Sequence, residues 1–139
     1  MIHIGIDTGV KTGFAVWDST KRDFLEIVTL TITQAMERVL IYRNFGLTND
    51  YEIKLHIEDA RLRKWFGNTG RERLKGAGSV CRDASIWADW CREHEIDCEM
   101  VAPKNNRTKM DEQSFKRLTG WKKTTSVHAR DAAVMVFGR

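Results

Sequence analysis

The sequence predicts an α/β domain with a mixed five-stranded sheet, an antiparallel three-strand meander plus two further strands, and helices on both faces. Three observations lead there. Apolar residues recur with the period of strands from Ile2 to Ile32, then with the period of a helix from Ala35. The strand period returns from Tyr51 to Glu58. Beyond Ser79, two helical patterns flank a short strand-like run at Ile96–Ala102. At 139 residues, 42% hydrophobic and 30% charged, with Pro103 the only proline, the chain has the size and balance of one domain with a substantial core and no linker.

Each element has a local reason. Ile2, Ile4 and Ile6 alternate along the first strand, which ends at Asp7. Gly9 and Gly13 read as the positive-φ residues of a tight reversal, and Phe14 to Trp17 resume the strand pattern, so the run is a hairpin presenting Asp7. Ser19 to Arg22 is a polar turn, and Phe24 to Ile32, rich in Leu, Ile, Val and Thr, is a third strand. Thr33 reads as the cap of a helix that places Ala35, Met36, Val39, Leu40 and Arg43 on one face and ends within Asn44–Asn49. In the fourth strand Ile53, Leu55 and Ile57 alternate with Lys54, His56 and Glu58, and the strand ends at Glu58-Asp59. Arg61 to Gly78 reads as irregular, with four glycines, six Lys or Arg and the pair Trp65-Phe66. Ser79 opens a helix to about Glu95 with the stripe Val80, Ala84, Trp87, Ala88 and Cys91; Ile86 and Trp90 lie outside it as a patch for another chain or for the following segment. Ile96 to Ala102 is the fifth strand. Lys104 to Leu118 is basic and partly helical, Gly120 stops it, and Ser126 caps a last helix over Val127–Phe137.

Composition excludes several classes. Cys81, Cys91 and Cys98 are odd in number and form no C-x-x-C pair, which argues against a disulfide framework or zinc ribbon and for reduced, mostly buried thiols. No apolar run approaches the roughly 20 residues that span a bilayer, and no charged lead with an apolar segment opens the chain, so the expectation is a soluble, cytoplasmic protein without a membrane partner. The net charge of +4 is modest but uneven.

Acidic residues stand at comparable places: Asp7 at the end of strand one, Glu58 at the end of strand four, and Asp131 in the last helix, three residues after His128. If strands one and four are neighbours, the two strand-end carboxylates approach each other, and a helix across the sheet adds Asp131 and His128 from one face. Oxygen ligands with an optional imidazole suit a hard divalent cation, which also neutralises crowded carboxylates. Each residue also has a plainer reading: Asp7 as a turn former before Gly9, Glu58 as a solvated strand end with Asp59 equally able to bind, His128 as an ordinary helix residue. Asp131 lies among Ala132, Ala133, Val134 and Met135, where a charge needs a partner. Arg61, Arg63, Lys64, Trp65, Phe66, Arg71, Arg73 and Lys75 form a cationic stretch with aromatic residues able to stack on unpaired bases. Lys104, Arg107, Lys109, Lys116, Arg117, Lys122 and Lys123 form a second, and together the two hold thirteen of the 23 Lys and Arg. Two cationic stretches around an acidic centre suit a nucleic acid backbone; as solvated charged loops they would have no such role.

The run Ile4-Gly5-Ile6-Asp7-Thr8-Gly9 with Gly13, Ala15 and Asp18, then Ile57-Glu58, then His128-Ala129-Arg130-Asp131-Ala132-Ala133, resembles the RuvC-type Holliday junction resolvases of the ribonuclease H-like superfamily, especially their short phage-encoded branch. Ala102-Pro103 followed by Lys109, and Gly76 to Trp87, look like that family's proline-lysine segment and its glycine-led long helix. The resemblance implies that Asp7, Glu58 and Asp131 are metal ligands, with His128 where many members carry aspartate. It implies two Mg²⁺ or Mn²⁺ ions about 3.5–4 Å apart, bridged by Asp7, that assist hydrolysis of DNA to 5′-phosphate and 3′-hydroxyl ends. It also implies a homodimer that cuts a two-fold branched substrate symmetrically. Related expectations are a nuclease for other branched DNA or RNA–DNA hybrids and a non-catalytic junction-binding protein; an actin-like ATPase would need a second domain.

Overall fold

A computed structural model describes residues 1–62, 71–103 and 109–139, with side chains in the second helix from residue 78 onward. Strands β1 (Ile2–Asp7), β2 (Thr12–Asp18), β3 (Asp23–Leu30), β4 (Ile53–Glu58) and β5 (Cys98–Val101) form one sheet in the order β3-β2-β1-β4-β5. The first three are an antiparallel meander, while β1–β4 and β4–β5 are parallel. Among the described residues the α-helices are α1 (Ile32–Asn49), α2 (Arg71–Glu93), α3 (Glu112–Thr119) and α4 (Val127–Val136). None is long and apolar enough to cross a membrane.

Strand alternation sorts the core into two layers. Ile2, Ile4 and Ile6 of β1 join Phe14, Val16, Leu55 and Ile57 beneath Ala35 and Val39 of α1 and Trp87 and Cys91 of α2. On the opposite face Ala15, Trp17 and Phe24 pack with Phe115 of α3 and Ala132, Ala133 and Val136 of α4. Asp7, out of phase with the β1 isoleucines, therefore faces α4. Ile6 registers with Ile57 across the parallel pair, so Glu58, the next residue of β4, shares the face of Asp7.

Two glycines of the first hairpin allow α4 to lie close to the sheet. A Cβ on Gly5 would overlap the carbonyl of Ala132, and one on Gly13 would overlap the carbonyl of His128. Gly9 has a positive φ of 156°, and Thr12 Oγ1 donates to its carbonyl at 2.8 Å, so Gly9 does belong to the turn. Gly13 has no positive φ. The sequence reading of Gly13 is corrected accordingly: it is required by helix-to-sheet approach.

Element boundaries differ from expectation in two helices. Thr31, not Thr33, caps α1, with Gln34 completing a reciprocal capping box, and the helix continues through Asn44–Asn49 to a left-handed Asp50. Gly46, inside this last stretch, is buried where a Cβ would crowd the carbonyl of Tyr51. Helix α2 starts at Arg71, ahead of Ser79, because interior glycine lowers helix propensity by about 1 kcal/mol without forbidding the helix. The patch beyond its stripe is smaller than expected. Ile86 is exposed, whereas Trp90 packs against the core, edge-on to Trp87 and stacked on His94. Ser126 caps α4 and Gly120 ends α3 in a left-handed conformation, as the sequence indicates. All three cysteines are free.

Candidate active site

The site forms at the carboxyl ends of β1 and β4, under the first two turns of α4. Thr8 Oγ1 donates to the backbone carbonyl of Glu58 at 3.2 Å, tying the two strand ends together. Asp7 is buried, and His128 Nδ1 lies 2.8 Å from its Oδ2. An ionised carboxylate can only accept, so Nδ1 carries the proton and, in the neutral ring, Nε2 keeps its lone pair for a ligand or a proton. Asp131, three residues on, accepts from Lys109 Nζ at 2.7 Å. This supplies the partner that its place in the helix demands.

Electrostatics join these groups. Burial pushes the Asp7 carboxyl above its ordinary value; the hydrogen bond and charge of His128 oppose the shift, the charge of Asp131 adds to it and Lys109 opposes it. The Lys109 ammonium is held above its ordinary value first by the hydrogen bond to Asp131, against the cost of desolvation, then by the charges of Asp131, Asp7 and Glu58. All three carboxylates therefore act on one ammonium. Lys109 is delivered there by its neighbour: buried Arg130 donates from Nε to the carbonyl of Met110 at 3.1 Å and from Nη1 to the carbonyl of Thr125 at 2.6 Å.

The structure separates Glu58 from Asp59, which the sequence leaves equivalent. Both oxygens of buried Asp59 accept from Arg61, at 2.7 to 3.0 Å, and a further bond comes from the Arg61 backbone. The hydrogen bond from the Arg61 side chain holds Asp59 below its ordinary value against desolvation. Asp59 is a structural carboxylate.

The expected cations fall into three groups. Arg61 is engaged with Asp59 and Ser85, Lys116 pairs with Glu112 at 3.2 Å, and Lys109 belongs to the acidic centre. Arg63, Lys64, Trp65, Phe66, Lys104 and Arg107 lie outside the described residues. Arg71, Arg73 and Lys75 lie on α2 with side chains outside the description. The sequence offers Lys109 as a basic residue and as part of the proline-lysine resemblance, and Arg130 within the His128–Ala133 run, but it does not show that Lys109 pairs with Asp131 or that Arg130 holds the backbone beside it.

Among the described residues, no three His, Cys, Asp or Glu side chains form a ready-made metal cage. The donor set of three carboxylates and one imidazole nonetheless has the chemistry of a hard divalent cation site, and a cationic group, the Lys109 ammonium, already lies in its field. No protein-family model matches the chain, and no curated protein is significantly similar to it.

Proposed function

We propose that this chain is a metal-dependent, structure-selective DNA endonuclease of the RuvC-type, ribonuclease H-like kind, acting on four-way junctions as a homodimer and leaving 5′-phosphate and 3′-hydroxyl ends. One observation carries the reading: Asp7 and Glu58 end adjacent parallel strands on the sheet face covered by the helix that bears His128 and Asp131. Carboxylates of one sign at neighbouring strand ends, Asp7 buried and Glu58 half-buried, are poor for stability and good for holding a cation beside a phosphodiester.

Asp7, Glu58 and Asp131 would hold the divalent metal, with His128 beside them. A cation bound there supplies the Lewis-acid charge that activates water and stabilises the leaving 3′ oxygen. The chain's own groups do the rest. His128, oriented by Asp7, presents a nitrogen lone pair at the edge of the centre. Asp7, buried and pushed toward the protonated form, gains most from a cation that restores its charge. The packed strands and α4 hold these groups on rigid elements.

The test is incubation of a synthetic four-way junction with the protein and Mg²⁺ or Mn²⁺, beside Asp7→Asn. Nicking by the wild type, abolished in the variant, is expected. Binding without nicking in either metal rejects the enzyme and leaves a junction-binding protein. Equal cutting of linear duplex rejects junction selectivity and keeps the nuclease.

A further inference from the structure

Lys109 stands where a cation belongs. Its ammonium donates to Asp131 at 2.7 Å and lies in the fields of Asp7 and Glu58. Its side chain is 63% exposed, while that of Asp131 is 24% exposed. The following residue is fixed by the bond from Arg130 to the Met110 carbonyl. A four-carbon stem on a fixed backbone swings out without disturbing the fold, because the ammonium is wet on one side. A divalent cation placed among the same carboxylates repels this ammonium at short range and competes with it for Asp131.

We propose that Lys109 is the resident counter-ion of the acidic centre: a divalent metal displaces it from Asp131, and the freed ammonium then holds a substrate phosphate. The inference rests on the metal-dependent reading above and adds a linkage to it. Metal binding costs the Lys109–Asp131 pair, and DNA binding recovers the ammonium as a phosphate contact, so each ligand strengthens the other. A cation that merely lined a DNA track would show no such dependence on metal.

Mn²⁺ alone is titrated calorimetrically into wild type, Lys109→Met, Lys109→Arg and Asp7→Asn, each checked for folding by circular dichroism; Lys109→Gln replaces the methionine variant if that one does not fold. Lys109→Met is expected to bind Mn²⁺ about two- to fivefold more tightly than wild type, the range that a partly exposed ion pair withholds. Lys109→Arg keeps the positive charge and binds no more tightly than wild type, and Asp7→Asn loses binding. Equal Mn²⁺ affinity in wild type and Lys109→Met overturns the counter-ion role and leaves the metal centre standing. No binding to any of the proteins removes the metal centre and the proposal with it. For phosphate capture, the salt dependence of junction affinity is measured with and without saturating Ca²⁺. The logarithmic slopes of wild type and Lys109→Met are expected to coincide without metal and to differ by about one with it. An equal difference in both conditions makes Lys109 a permanent phosphate contact and overturns its release.

Discussion

Asp7 and Asp59 are both buried carboxylates at the ends of neighbouring parallel strands, yet their surroundings push them in opposite directions. Asp59 has both oxygens engaged by one guanidinium, and Arg61 holds it below its ordinary value. Asp7 accepts on one oxygen from half-exposed His128, faces the charge of Asp131, and is held above its ordinary value by burial. Position alone does not distinguish a structural acid from a poised one. The deciding quantity is whether hydrogen bonds and opposite charge outweigh desolvation, and they do so at Asp59 and not at Asp7.

The largest expected effect separates the two regions mechanically. Gly13→Ala forces a methyl into the carbonyl of His128 and lifts the start of α4 from β2, leaving Asp59–Arg61 in place. A loss of about 2–4 kcal/mol in urea unfolding is expected; an unchanged midpoint would show that α4 moves aside freely.

Next is Asp59→Asn, expected to cost about 1–3 kcal/mol at pH 7 because a buried charged pair loses one member. Asp59 is lowered in the folded state, so its contribution is complete above the ordinary value of 3.8 and fades as pH falls through the folded value. Wild type and variant converge in acid; a gap that persists at pH 2 would mean that shape, not charge, holds this corner.

The smallest effect has the opposite sign. Asp7 is raised in the folded state, so stability falls as pH rises from 3.8 through the folded value. Asp7→Asn is therefore expected to stabilise the protein by about 1 kcal/mol at neutral pH, with no gain below pH 3.8, while abolishing the cleavage proposed above. Thermal melts across pH check it. A destabilised variant at pH 7 would place Asp7 in the same class as Asp59.

Much of this arrangement is legible in local pattern. The alternation of Ile2, Ile4 and Ile6 marks β1 and puts Asp7 on the opposite face, and Ser126 and Gly120 mark helix ends through capping chemistry. Gly13 misleads because another backbone lies against it, as one does at Gly46, and a sequence shows the missing Cβ but not the atom that occupies its place. Trp90 is similar, since its packing against the core, edge-on to Trp87, depends on the rotation of α2 over the sheet.

By itself the sequence determined the order and type of the strands and helices and which acids end the strands, though not the start of α2 or the cap of α1, because period, capping and glycine placement act over a few residues. It also presented Glu58 and Asp59 as equally able to bind, and Lys109 as a member of a basic stretch with no assigned partner. Tertiary structure alone decided that Arg61 satisfies Asp59, that α4 brings His128 to Asp7, and that Lys109 meets Asp131 across 22 positions. The physical reason is that a charge takes its character from its desolvation and from the groups within a few ångströms, and in this centre those groups come from distant parts of the chain.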